Sequence, residues 1–230
     1  MTDGRGDKHR ANLGDLDADQ FRTRARVHLH TAPVDTVFDA KSGRAWGRSD
    51  FDLNPDMVNE IDPDEPVGQA AVLVPIVLGG PALTMLLTQR SEKLKRHGGQ
   101  IAFPGGRFED ADDGPLATAL RETEEEVGIT SNFVEPVGFL DSYRTRTGFQ
   151  ITPVVGLVRP GFDLRLDARE VAGAFEVPLA FLMNPDNHRR DSRVWNGRER
   201  HFYAMPYGEH YIWGATAGMI KNLYERLVQE

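Results

Sequence analysis

The chain has no cysteine. That absence excludes disulfide scaffolding, thiolate zinc sites and a cysteine nucleophile. Long apolar runs are missing as well: the longest, AAVLVPIVL at 70–78, is too short to span a bilayer and contains Pro75. The opening segment, MTDGRGDKHRANLGD, holds no apolar core of a secretory signal, so the expected location is cytoplasmic, with no membrane partner. Positive charge is in deficit. Lys and Arg number 27 against 35 Asp and Glu, a net charge of −8, which argues against nucleic acid as a general partner. A chain of 230 residues can nonetheless bury a full core, as one domain or as a domain with an extension.

What is present is concentrated in residues 105–129, GGRFEDADDGPLATALRETEEEVGI. Four acidic residues fall within the five positions 122–126. On a helix, Glu122, Glu125 and Glu126 share one face while Glu124 points elsewhere. Leu116, Leu120, Thr123 and Val127 form a separate apolar stripe, so one face is expected to pack and another to gather carboxylates. Three like charges on adjacent turns repel, and a hard divalent cation, Mg2+ or Mn2+, relieves that repulsion. A bare acidic run is also what a solvated helix face looks like. The flanks shift the balance: Gly105-Gly106 makes a tight approach, Arg121 can pair with Glu125 at i+4, and Gly128 supplies a C-terminal stop. A glycine at 106 would let main-chain oxygen approach a metal without a side chain in the way.

This segment resembles the signature of the Nudix hydrolases, a glycine, a glutamate, then R-E-U-x-E-E-x-G-U with U a bulky apolar residue. Arg121, Glu122, Glu125, Glu126, Gly128 and Ile129 match it position by position. Thr123 departs from the first apolar slot, and the loop before Arg121 is one residue longer, so the loop acid falls on either Asp112 or Asp113. A second segment, LLTQRSEKLKRHGGQIAFPGG at 86–106, is similar to the signature of the coenzyme A pyrophosphatase branch, which carries the same longer loop. Lys95 stands where that branch usually has arginine, keeping the charge and losing the bidentate fork. ITPVVGLV (151–158), EVAGAFEVPLAFL (170–182) and IWGATAGMI (212–220) look like later blocks of the branch, so the likeness covers roughly residues 67–228.

The resemblance implies an α/β fold, an α/β/α sandwich around a mixed β-sheet over 67–230, preceded by an N-terminal extension over 1–66. It implies a metal-dependent diphosphatase acting on a small nucleoside diphosphate derivative. Coenzyme A or acyl-CoA leads, ahead of ADP-ribose, nucleotide sugars, dinucleotides or an oxidised dNTP, and ahead of a non-catalytic ligand sensor. Glu122, Glu125, Glu126 and Gly106 would hold the metal. Arg121, Glu125, Glu126 and Glu170 are the catalytic candidates, the general base being open between Glu170 and the trio. Arg90, Ser91, Lys95, Arg96 and His97 are candidates for phosphate contacts, and Arg144 and Arg146 for the cleft. Trp46, Trp195 and Trp213 are expected to pack, and the histidines other than His97 to be surface or packing residues. Monomer and homodimer are both compatible with the chain.

Residues 1–17 read as polar and disordered, 18–30 as a short helix striped by Phe21, Ala25, Val27 and Leu29, and 31–66 as an irregular arm. Strands are expected at 70–78, 82–90, 133–145 and 149–160, with a short one at 101–106. Helices are expected at 115–127, at 179–182 and finally through Val228. A hairpin over 193–214 should turn at Asn196-Gly197.

Overall fold

A computed structural model describes residues 13–34, 38–39, 44–45, 48–60 and 66–229. Helix α1 (Ala18–His28) precedes three short strands, β1 (Phe38–Asp39), β2 (Arg44–Ala45) and β3 (Arg48–Ser49). Then come β4 (Gly68–Val77), β5 (Thr84–Arg90), β6 (Ile101–Ala102), β7 (Gly105–Arg107) and helix α2 (Pro115–Val127). Strands β8 (Val134–Phe139), β9 (Tyr143–Arg144), β10 (Phe149–Val158) and β11 (Val171–Pro178) lead to helix α3 (Leu179–Leu182). The chain closes with β12 (Arg189–Trp195), β13 (Arg198–Tyr207), β14 (His210–Trp213) and helix α4 (Gly214–Leu227).

A mixed sheet runs β11-β5-β4-β10-β9-β3, with β6 on β5, β7 on β4 and β8 on β10. Its axis is the parallel pair β4–β10, in register from Gly68 with Phe149 to Val77 with Val158. Both strands are buried on two faces, which is why each reads as a near-continuous apolar run. The alternation separates cleanly. Val72, Val74 and Ile76 share a cluster with Val155 and Leu157, with Phe21 and Ala25 of α1, and with Ile220 and Leu223 of α4. Ala71, Leu73 and Val154 turn the other way onto Ala119 of α2, and Val77, Leu86 and Val158 onto Val127. Helices thus cover both faces of the sheet, the sandwich expected from the sequence.

Several details differ from expectation. Of the segment expected to be disordered, 1–17, residues 13–17 are ordered: Leu13 is buried within a 3-10 turn at Leu13–Asp15 because it joins the main core, and Asp17 caps the next helix; residues 1–12 lie outside the described residues. Helix α1 starts at an Asp17/Gln20 capping box and buries Phe21 and Ala25, with Leu29 buried just past its end, but Val27 faces solvent. The segment expected as one strand at 133–145 is broken into β8 and β9. Residues 171–178, unassigned in the sequence, form the edge strand β11 against β5. The expected hairpin is part of a separate three-stranded sheet, β12-β13-β14. Its first turn is where expected, with Asn196 and Gly197 both at positive φ (51° and 76°) as a tight primed turn requires.

Candidate active site

Helix α2 begins with Pro115 in its first turn and ends at Gly128, whose φ of 79° lets its N–H reach Glu124 O at 2.9 Å. Gly105 and Gly106 lie on β7, opposite Val72 and Ala71 of β4. A Cβ on Gly105 would overlap the β4 backbone, and one on Gly106 would fall on the Glu122 carboxylate. The glycine pair therefore lets a strand and an acidic side chain share space that larger residues would fill.

Arg121 organises the loop between them. Its guanidinium donates to Asp112 through Nε and Nη2, both at 2.9 Å, and to Arg107 O at 3.0 Å. Through Nη1 it also reaches Glu122 Oε1 at 3.0 Å and Glu125 Oε2 at 3.3 Å. Asp112 further accepts from Glu109 N and Thr118 Oγ1, and Arg121 holds it well below the usual carboxylate range. The ambiguous loop acid is thus Asp112 as far as contacts go; Asp113 is exposed. Thr123 satisfies its hydroxyl on Ala119 O at 2.6 Å, which explains how a polar side chain fits the packed face.

The three glutamates are not equivalent. Glu126 is only 3% exposed, so the packed face is not the stripe of Leu116, Leu120, Thr123 and Val127 alone but includes Thr118, Ala119 and Glu126 itself. Glu126 turns inward because Gly105 N donates to its Oε2 at 3.1 Å, with Arg90 Nη1 3.7 Å from its Oε1. Burial pushes its pKa up to about 7, against the pull of that hydrogen bond and of Arg90. Burial also raises Glu122, opposed by Arg121, while Glu125 and Glu170 push it further up. Glu125 is largely exposed. Glu170 sits in the turn just before β11, held by its own backbone N–H to Asp167 O and by Ser91 N to its carbonyl. Its charge is felt at both Glu122 and Glu126, so the fold brings it to the cluster.

Beside this cluster opens a cleft of about 950 Å³. Gly105 and Gly106 line it, together with Arg90, Lys95, Arg96, His97 and Arg146, as the sequence suggested. Ser91 and Arg144 do not line it. Ser91 is buried with its backbone N–H bound to Glu170, and Arg144 is 6% exposed on β9 within the sheet. The opposite wall was not anticipated. It comes from β12, β13 and β14, with Arg193, Trp195, His201, Phe202 and Trp213. Trp195, expected to pack, is 52% exposed at the hairpin tip. Trp213 does pack, against Phe202 and beneath the Arg193 guanidinium, yet also borders the cleft. His201 joins His97 there; Trp46 lies outside the described residues.

Comparison with known proteins settles the family. A model described as the NUDIX domain matches residues 68–195. The uncharacterized Nudix hydrolase NudL of Escherichia coli (strain K12) is 43% identical over 155 residues, 67% of this chain and 80% of that protein. The chain belongs to the Nudix hydrolases. Among solved structures, DR0079 from Deinococcus radiodurans has a TM-score of 0.47 at 12% identity, covering 71% of this chain and 88% of that one. The NUDIX domain of Shewanella oneidensis NrtR, complexed with ADP ribose, has a TM-score of 0.41 at 20% identity, covering 55% and 84%. Both likenesses are too loose to speak to substrate.

As a Nudix hydrolase the chain is an enzyme of a family that acts on pyrophosphate bonds, generally with divalent metal ions. The residues present fit such an ion. Glu122 and Glu126 offer hard oxygen donors in a partly desolvated place where their ionised forms are disfavoured, and Gly106 leaves room at the Glu122 carboxylate. Among the described residues no three carboxylate or imidazole groups stand in a ready-made coordination shell. Arg121 holds Glu122 and Glu125, and Gly105 holds Glu126. No helix among the described residues is long and apolar enough to cross a membrane.

Proposed function

We propose that this Nudix hydrolase cleaves the pyrophosphate bond of coenzyme A or an acyl-CoA, yielding 3′,5′-ADP and (acyl) phosphopantetheine. Mg2+ or Mn2+ would be held by Glu122, Glu125 and Glu126 and by main-chain oxygen at Gly106. One observation carries the substrate choice. Arg90, Lys95, Arg96 and His97 lie along the same cleft as Gly105 and Gly106, in a chain of net charge −8. That concentration of basic groups exceeds what a single diphosphate calls for and suits a substrate with a further phosphate, such as the 3′-phosphate of coenzyme A. All four residues fall in the 86–106 segment whose pattern is similar to the coenzyme A pyrophosphatase branch.

The bound cation would neutralise the diphosphate and acidify the attacking water. The chain's own groups do the rest. Arg121 is a positioning residue: fixed on Asp112 and Arg107 O, it holds Glu122 and Glu125 at the helix face. Arg90, which lines the cleft 3.7 Å from Glu126, would steady a phosphoryl oxygen there. Glu170 is the general base we assign. Glu122 and Glu125 have Arg121 as a partner and Glu126 has Gly105, whereas the Glu170 carboxylate has no hydrogen-bond or ion-pair partner among the described residues. An uncommitted carboxylate is the one able to accept the proton of water.

The test is turnover of a panel with Mg2+ or Mn2+: CoA, ADP-ribose, NADH, diadenosine polyphosphates and 8-oxo-dGTP, with products resolved by chromatography. CoA should be turned over fastest and yield 3′,5′-ADP. Faster turnover of any other panel member would overturn the substrate assignment, and no turnover at all would favour the ligand-sensor reading.

A further inference from the structure

The cleft has a third component that lies outside the family-matched segment. Residues 48–57 precede the matched stretch at 68–195, yet Ser49, Asp50, Phe51, Leu53, Asn54 and Met57 all line the cleft. They also bridge its two walls. Asn54 is 7% exposed, and its side-chain amide makes a reciprocal pair with β13: Nδ2 donates to His201 O at 2.9 Å while Oδ1 accepts from His201 N at 2.9 Å. The same Nδ2 donates to Asp50 O at 2.8 Å. Asp50 in turn accepts from Tyr143 Oη and from Arg146 N, both at 2.9 Å, and its own N–H bonds Arg144 O. Backbone pairing of β3 with β9 completes the attachment to the central sheet.

The Asn54 amide and the Asp50 carboxylate together tie β13, which carries His201 and Phe202, to the segment that carries Tyr143 and Arg146. A side-chain amide that mimics a backbone pair on a strand fixes both distance and register. Surface bracing alone would not need Leu53 to face the cleft half-buried, between those two anchor points. We propose that residues 48–57 are a working part of the substrate site: Asn54 and Asp50 act as positioning residues that set the width of the cleft, and Leu53 borders the bound nucleotide. The arm therefore governs nucleotide affinity and not the hydrolytic step. This rests on the cleft being the nucleotide site of a Nudix hydrolase, and not on the substrate being coenzyme A.

Two probes without a pyrophosphate bond, AMP and 3′,5′-ADP, allow equilibrium titration by calorimetry in Mg2+ with no turnover. Asn54→Ala breaks the relay. Leu53→Glu leaves the relay intact and puts a negative charge in the cleft at a side chain that makes no hydrogen bond. Both variants are expected to bind the better probe at least about tenfold more weakly, with Leu53→Glu melting close to the wild type. In steady-state assays on the best panel substrate the same variants should raise KM with kcat within about threefold. Should Asn54→Ala fail to fold, Leu53→Glu decides alone. Unchanged affinity in Leu53→Glu would overturn the inference and reduce the arm to a brace. Binding of AMP with no preference for 3′,5′-ADP would count against coenzyme A while leaving the arm testable on AMP. Binding of neither probe by the wild type would overturn the inference.

Discussion

Replacing Glu126 with glutamine should make the metal-free protein more stable, not less, above neutral pH. The carboxyl is 3% exposed, and burial lifts its pKa from 4.5 to about 7. At about 1.36 kcal/mol per pKa unit, ionising it in the fold costs on the order of 3 kcal/mol. The sign follows from proton counting. Between pH 4.5 and 7 the folded state holds a proton that the unfolded state has released, so stability falls as pH rises through that window. Below it the penalty is absent; above it the penalty is complete. Glutamine keeps an acceptor for Gly105 N and never ionises, so the variant's profile should be flatter by about that amount. Urea denaturation in EDTA from pH 5 to 8.5 reads this directly. The two proteins should agree near pH 5 and diverge by on the order of 3 kcal/mol at pH 8, with added Mg2+ stabilising the wild type more than the variant. Parallel profiles across that range would refute the buried, proton-holding state of Glu126.

Further predictions follow from neighbouring contacts. Gly106→Ala puts a Cβ on the Glu122 carboxylate, so Mn2+ affinity measured by titration should fall about 10- to 100-fold. Arg121→Lys keeps the charge but loses the fork on Asp112, and urea denaturation should show a loss of about 1–3 kcal/mol; a change within about 0.5 kcal/mol would mean that the pair is not structural. Glu170→Gln should lower kcat by about 10²- to 10⁴-fold with Mn2+ affinity nearly unchanged, whereas equal loss of both would make Glu170 a ligand and not the base.

The helix at 115–127 and its glycine stop were legible because a short, strongly patterned segment with Pro115 and Gly128 at its ends leaves few alternatives. The same pattern found part of the packed face, at Leu116, Thr123 and Val127, but not its extension to Thr118, Ala119 and Glu126. Periodicity sees hydrophobicity, and it cannot foresee that Gly105 N would draw a carboxylate into the interior at Glu126. The basic wall was legible because Arg90 to His97 run close in sequence to Gly105. The opposite wall was not, since His201 and Asn54 meet only through long-range pairing of β13 with the arm. Asn54 in particular carries no local signal: the amide of NPD reads as turn chemistry, and its strand-like pairing partner is His201. Strand β11 was missed for a similar reason, as an edge strand with exposed and half-buried positions lacks the apolar run that marks β4 and β10.

The proposed function is hydrolysis of the pyrophosphate bond of coenzyme A, with a divalent cation that Glu122, Glu125 and Glu126 would hold beside this cleft. The most direct measurement incubates CoA with Mg2+ and either the wild type or a Glu122→Gln/Glu126→Gln variant, and separates the products on an anion-exchange column. The wild type should release 3′,5′-ADP and phosphopantetheine in equal amounts, none without metal, and the variant should lose that activity by orders of magnitude while keeping its fold by circular dichroism. Equal turnover by the folded variant, or release of any other product pair from CoA, would contradict the account.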